Sequence, residues 1–256
     1  MRRYIIECKQ DELSKDIKNK LISAFEGFMI YDQNNPELVI SVGGDGTMLY
    51  CVHKYEKVLD KVAFIGLHTG TLGFLTDYQK EEIDMFINEV KENNFAFYNR
   101  HLLEIHTNKG QYIALNELRI ENNLRSQVLD VYINNEFLET FRGNGLCVCT
   151  ASGSTAYNKS IGGAVVCSGA GIMQLSEIAG IHHNAYRSLG SPLILDRSHT
   201  IHFESSDFKG AILGIDQHVY DLEGIASIDV KLSHQCACFA QLKKVSLIER
   251  LRRAYL

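Results

Sequence analysis

The residues best suited to chemistry are Gly43-Gly44-Asp45-Gly46-Thr47, which follow the apolar run Leu38 to Val42 directly and precede a helix-compatible stretch from Met48. Glycines let a backbone approach phosphate closely and adopt φ > 0 cheaply. A helix start after the loop adds unpaired N–H groups and a positive dipole end. The aspartate is what sets the loop apart. A carboxylate beside phosphates is repulsive unless it holds a metal ion or takes a proton. An aspartate that accepts a hydroxyl proton, while magnesium and backbone amides hold a triphosphate, fits phosphoryl transfer to an alcohol. The loop is not a dinucleotide fingerprint, because Leu49 stands where the third glycine belongs, and with no lysine it is not a Walker A loop. Gly-Asp-Gly is also ordinary turn chemistry, so by itself the loop leaves both readings open.

Other reactive residue types point elsewhere only weakly. Cys147 and Cys149, like Cys236 and Cys238, sit two apart in strand-like runs, and His182-His183 are further candidate ligands. Structural zinc uses wider cysteine spacings, so these cysteines read as small buried core residues. Ser154 lacks the G-x-S-x-G elbow of a hydrolase. Arg250, Arg252 and Arg253 read as a solvated helix end. The 26 basic and 31 acidic residues give a net charge of −5 without a dense Lys/Arg stripe, which argues against nucleic acid. Seven cysteines, an odd number without framework spacing, imply free thiols in a reducing compartment. No segment is apolar enough to span a bilayer, and Met1 to Lys20 lacks the apolar core of a secretory signal. A cytoplasmic protein with no membrane partner is expected.

The elements that must position the loop follow from periodicity. Tyr4-Ile5-Ile6 reads as a strand, and Leu13, Ile17, Leu21 and Phe25 at intervals of four read as a helix. Leu38 to Val42 and Val62 to Ile65 repeat the strand signal, and Ile83, Phe86, Ile87 and Val90 mark another helix. Apolar strands without alternation are covered on both faces, so residues 1–99 are expected to form an α/β domain around a parallel sheet. A second glycine loop, His68 to Phe74, follows its strand in the same way. From about Leu102 the texture changes to closely spaced strands: Tyr112 to Leu115, Val128 to Ile133, and Phe137 to Phe141 after a hairpin turn at Asn134-Asn135. Ile201 to Phe203, Ala211 to Ile215, Ala226 to Leu232 and Cys236 to Leu242 continue the pattern, with helical character only in Ala156 to Ala185. Residues 100–240 are therefore expected to be an all-β, sandwich-like domain, with 241–256 packing back on the first.

The G-G-D-G-T loop is shared by NAD kinases, diacylglycerol and sphingosine kinases and, in similar form, phosphofructokinases. Asn116-Glu117, Arg142-Gly143-Asn144-Gly145, the run Ser152 to Ser160 followed by Gly162-Gly163, and Gly190-Ser191-Pro192-Leu193 resemble the NAD kinase family in order and spacing. The resemblance runs from Leu38 to about Asp216. It implies a Rossmann-like, phosphofructokinase-like first domain and transfer of a phosphoryl group from ATP, with Mg²⁺ or another divalent cation, to the adenosine ribose 2′-hydroxyl of NAD. Asp45 would be the proton acceptor, with Gly44 and Gly46 letting the backbone close on phosphates. Asn116 and Glu117 would bind ribose or adenine. Thr155, Ala156, Tyr157 and Ser160 would line the NAD site, together with Phe74, Arg142, Asn144, Asn158, Lys159, Ala179 and Gln217. The family also implies a homotetramer in which a neighbouring subunit contributes to that site. It usually has aspartate where Asn144 stands; asparagine keeps an acceptor oxygen but loses the charge and gains two donors. A lipid kinase of the diacylglycerol or sphingosine type is the second reading, and a non-catalytic NAD-binding protein the third. The residues leave open the donor (ATP, another triphosphate or polyphosphate) and the choice of NAD or NADH.

Overall fold

The structure is a computed structural model that describes residues 2–70, 73–167 and 169–256. Thr71 and Leu72, in the middle of the second glycine loop, lie outside the described residues. Chain order begins β1 (Arg3–Cys8), α1 (Glu12–Phe25), β2 (Ile30–Tyr31), β3 (Leu38–Gly43), α2 (Asp45–Lys54), β4 (Ala63–His68), β5 (Tyr78–Gln79) and α3 (Ile83–Glu92). It continues with β6 (Ala96–Thr107), β7 (Gly110–Ala114), β8 (Glu117–Glu121), β9 (Gln127–Ile133), β10 (Glu136–Thr150), α4 (Tyr157–Ser160) and β11 (Ile172–Gly180). The last elements are β12 (Leu193–Asp196), β13 (Thr200–Glu204), β14 (Ile212–Ile215), β15 (His218–Asp221), β16 (Ser227–Gln241) and α5 (Leu247–Tyr255). These elements form two compact units, Met1–Arg100 with Cys236–Leu256, and His101–Gln235.

In the first unit β1 pairs in parallel with β2 and β3, and β3 with β4. The far edge of β4 takes β5 near its carboxyl end and Cys238-Phe239 of β16 near its start, both in parallel. Every residue of β3 and β4 is buried, as expected for strands covered on both faces. Helix α1 starts where the Asp11 side chain accepts the Ser14 N–H at 2.8 Å, a side-chain N-cap. Its buried face is Ser14, Ile17, Leu21 and Phe25. Leu13, expected on that face, is 44% exposed, because a 100° step per residue turns it out when Ile17 and Leu21 face in. Tyr4, Leu21, Leu38, Ile65 and Phe86 share one core with Ala240.

The second unit is built on β10, which pairs antiparallel with β9 through its first half, with β8 through its second half and with β11 from Gly143 onward. The β9–β10 hairpin turns at Asn134 (φ 50) and Asn135 (φ 68), the two left-handed residues that a type I′ turn requires. Leu129, Val131, Phe141, Phe203, Leu213 and Val230 lie in its core.

Four expectations need correction here. Within Ala156 to Ala185 the described helical residues are only Tyr157–Ser160, and Ile172–Gly180 is a strand, because pairing with β10 overrides weak local helix preference. Ala226 to Leu232 and Cys236 to Leu242 are one strand, β16, rather than two. Cys147 and Cys149 are fully buried as expected, whereas Cys236 and Cys238 are only half-buried. Arg250 is also not a solvated helix end. It is 7% exposed, pairs with buried Asp77, and donates to the Thr76 carbonyl at 2.8 Å, since an isolated arginine at that depth would be too costly.

Candidate functional site

In the first unit, β3 ends at Gly43 and α2 begins at Asp45, with Gly44 as an extended N-cap without a side-chain bond. Asp45 thus occupies the first turn of the helix, three residues earlier than the expected start at Met48, where a carboxylate is favoured by the dipole. Its Oδ2 accepts the Phe74 N–H at 2.8 Å and its Oδ1 the Leu75 N–H at 3.0 Å. An ionised carboxylate offers about four lone-pair sites, so roughly two remain for a substrate proton or cation. Gly73 explains how the second loop comes so close: a Cβ there would overlap the Asp45 carboxylate, so only glycine leaves room. Phe74 is half-buried, with its ring 5.6 Å from that of Tyr255.

Gly44, Gly46 and Thr47 line a cleft of about 650 Å³ with Lys9, Asp11 and His68. His68 accepts the Gly70 N–H at its Nδ1 (2.9 Å), which leaves the ring proton on Nε2, facing Gly44. Burial pushes the His68 pKa down, against the opposing pull of the Asp45 charge, so the ring is neutral near pH 7. Neither Lys9 nor His68 was expected as a site residue. Their signal is positional, a polar side chain at or just past the carboxyl end of an apolar strand.

In the second unit, Asn116 and Glu117 stand at the start of β8. The Asp216 carboxylate holds them by accepting the N–H groups of Leu115 (2.8 Å), Asn116 (2.8 Å) and Glu117 (3.1 Å). Both side chains are buried, yet Asn116 Oδ1 and Glu117 Oε2 have no hydrogen-bond partner among the described residues. Buried acceptors are normally satisfied, so these two oxygens are an exception with capacity for further donors. Burial, then the charges of Asp216 and Glu121, push the Glu117 pKa up to about 8, with Arg119 opposing. Arg119 and Glu121 share its strand face, being two and four residues on. Tyr157 donates its hydroxyl to Glu121 at 2.7 Å, and the Arg119 guanidinium lies 4.6 Å from the centre of its ring. The charged alternation Glu117-Leu118-Arg119-Ile120-Glu121 was a legible signal for the two missed residues. Asp216, about a hundred positions from its partners, had none.

The remaining expected site residues divide. Thr155 is buried and donates to the Ser152 carbonyl at 3.3 Å; Ala156 is half-buried beside it. Asn158 is fully buried, and its amide is engaged by the fold, accepting from Ser176 at 2.8 Å and donating to the Ser154 and Ala164 carbonyls. Lys159 and Ser160 are exposed. Asn144 donates to the Asn122 carbonyl at 3.2 Å, and the Arg142 guanidinium lies 4.5 Å from the Tyr186 ring centre. Ala179 holds a left-handed φ of 46 and is exposed, a strained position for a residue with a Cβ. Gln217 is exposed in the β14–β15 turn.

Comparison with known proteins agrees with these features. Residues 6–95 match the family model of the ATP-NAD kinase N-terminal domain, and residues 115–239 that of the ATP-NAD kinase C-terminal domain. NAD kinases of Staphylococcus aureus strains JH9 and Newman are 38% identical over 262 residues, covering 99% of this chain and 97% of theirs. Among solved structures, yeast NADH kinase complexed with NADH has a TM-score of 0.85 at 20% identity, covering 99% of this chain and 87% of that one. An NAD kinase from Archaeoglobus fulgidus in complex with ATP has a TM-score of 0.77 at 22% identity, covering 99% of each chain. The two structures establish the shared fold, an α/β unit with a mostly β unit, and the curated relatives leave the lipid-kinase and non-catalytic readings without support. The chain belongs to the ATP-NAD kinase family.

Proposed function

We propose that the chain transfers the terminal phosphoryl group of ATP to the adenosine ribose 2′-hydroxyl of NAD, giving NADP. The observation that carries this reading is the Asp45 carboxylate, fixed by the Phe74 and Leu75 N–H groups at the N-terminus of α2 with acceptor capacity to spare. Asp45 receives the hydroxyl proton as the 2′-oxygen attacks phosphorus. Gly44 and Gly46 let the backbone approach the phosphates. Asn116 Oδ1 and Glu117 Oε2 accept from ribose hydroxyls or the adenine amine. Thr155, Ala156 and Tyr157 contribute the walls of the dinucleotide site, and Tyr157 adds an aromatic face. Arg142, Asn144, Ala179 and Gln217 complete it.

Among the described residues no group of three or more His, Cys, Asp or Glu is arranged to hold a metal ion. In this reading magnesium enters as part of the nucleotide substrate, neutralising triphosphate charge. The working form is a homotetramer in the cytoplasm.

Purified protein given Mg·ATP and NAD is expected to form NADP, followed with an NADP-specific dehydrogenase. General-base assistance contributes about 10²- to 10⁴-fold, so Asp45→Asn is expected to lower kcat by that order while calorimetric NAD binding changes little. Wild-type turnover in Asp45→Asn would remove the assigned role.

A further inference from the structure

The segment that holds Asp45 is itself held from behind. The peptide between Phe74 and Leu75 presents its N–H to Asp45 Oδ1 at 3.0 Å, and the carbonyl of the same peptide accepts from Arg250 on α5 at 3.3 Å. The two ends of one planar trans peptide point opposite ways, so fixing the carbonyl fixes the direction of the N–H. Hydrogen bonds in series across one peptide also strengthen each other. Arg100 donates to the same carbonyl at 3.0 Å, and Arg250 donates further to the Thr76 carbonyl at 2.8 Å. Asp77 orients the guanidinium from the other side in an ion pair buried on both partners. At the end of the same helix the Tyr255 ring packs on Phe74. A staple needed only to dock α5 could bond anywhere on the sheet, yet this one bonds the Phe74 and Thr76 carbonyls, in the stretch where the Phe74 and Leu75 N–H groups grip the reacting carboxylate.

We propose that Arg250 is a positioning residue for phosphoryl transfer, acting on Asp45 through the Phe74–Leu75 peptide. The proposal rests on the reading of Asp45 as the proton acceptor, and its test keeps the two apart. The measurement is a double-mutant cycle in kcat with wild type, Arg250→Lys, Asp45→Asn and the double variant. Lysine keeps a charge but lacks the planar fork that reaches the carbonyls through Nη1 and Asp77 through Nη2 at once. Misplacing a reacting group by about 1 Å costs on the order of 10²-fold, so Arg250→Lys is expected to lower kcat about 10- to 100-fold. The KM values for NAD and ATP should move less than about twofold, because the ground-state contacts stay. In the Asp45→Asn background the same change should alter kcat by less than about twofold, since the group being positioned has lost its function. Equal losses in both backgrounds, or an unchanged kcat in Arg250→Lys, overturn the proposal while leaving the base intact. Wild-type turnover in Asp45→Asn alone removes the base and this proposal with it. If Arg250→Lys does not fold, the charge-free pair Arg250→Gln with Asp77→Asn supplies the same cycle, read the same way.

Discussion

Two carboxylates carry the proposed chemistry from opposite circumstances. Asp45 sits half-buried among N–H donors, the setting in which a carboxylate is well held and still open to a proton. Glu117 lies among acidic neighbours at 6% exposure, with a pKa pushed up to about 8 from the ordinary 4.5 of a glutamate. Its folded-state pKa is the higher one. Between about pH 4.5 and 8 the folded chain therefore keeps a proton that the unfolded chain releases, and stability falls as pH rises through that window. Glu117→Gln is expected to flatten this slope, gaining on the order of 1–4 kcal/mol relative to wild type at pH 8 and little at pH 4.5. Denaturant titration at the two pH values checks it; parallel stability curves for the two proteins would show that Glu117 is not the source. Asn144 illustrates how a departure from the family pattern is absorbed locally. Its amide donates to the Asn122 carbonyl, which an ionised aspartate could not do.

At the scale of elements, α5 is short and isolated helices of its length are marginal in water, so its caps and its docking decide whether it forms. Ser246 caps it by accepting the Glu249 N–H at 3.1 Å, and Arg250 anchors its middle. Ser246→Ala is expected to cost about 1 kcal/mol, felt mainly by this helix. Amide hydrogen exchange should speed up severalfold in 247–255 while α1, capped independently by Asp11, is unchanged; uniform acceleration in both helices would contradict it. Strand β8 works differently. Its apolar residues Leu118 and Ile120 are fully buried, and its charged residues share the other face. The hydrophobic effect thus orients Glu117, Arg119 and Glu121 as a set, and the Asp216 bonds fix where that set begins.

At the scale of the molecule, the second unit exposes Phe137, Leu138, Tyr186 and Leu189, a surface composition suited to burial against another copy. With the proposed homotetramer, light scattering is expected to give the mass of four chains, and specific activity should drop on dilution as NAD-site residues are lost with the neighbour. Full specific activity from single chains would exclude it. The sequence by itself determined the reactive loop and the kind of the main elements of the first unit. Apolar runs without alternation specify doubly covered strands, and a glycine-rich turn after such a run sits at the carboxyl edge whatever its surroundings. Asp45 stands out for that reason, since its signal is local, whereas Asn116, Glu117 and the Ser152 to Ser160 run stand out only through their resemblance to the family. Tertiary structure alone decided the partners. Strand β11 exists because β10 offers an edge, and Ile172 to Gly180 carries no stronger local signal for strand than for helix. Arg250 reads as a surface residue until Thr76 and Asp77, more than 170 positions earlier, close around it. Asp216 likewise becomes an anchor only when the chain returns to Leu115. Long-range hydrogen bonds of this kind follow from which elements pack together, and no residue spacing along the chain encodes them.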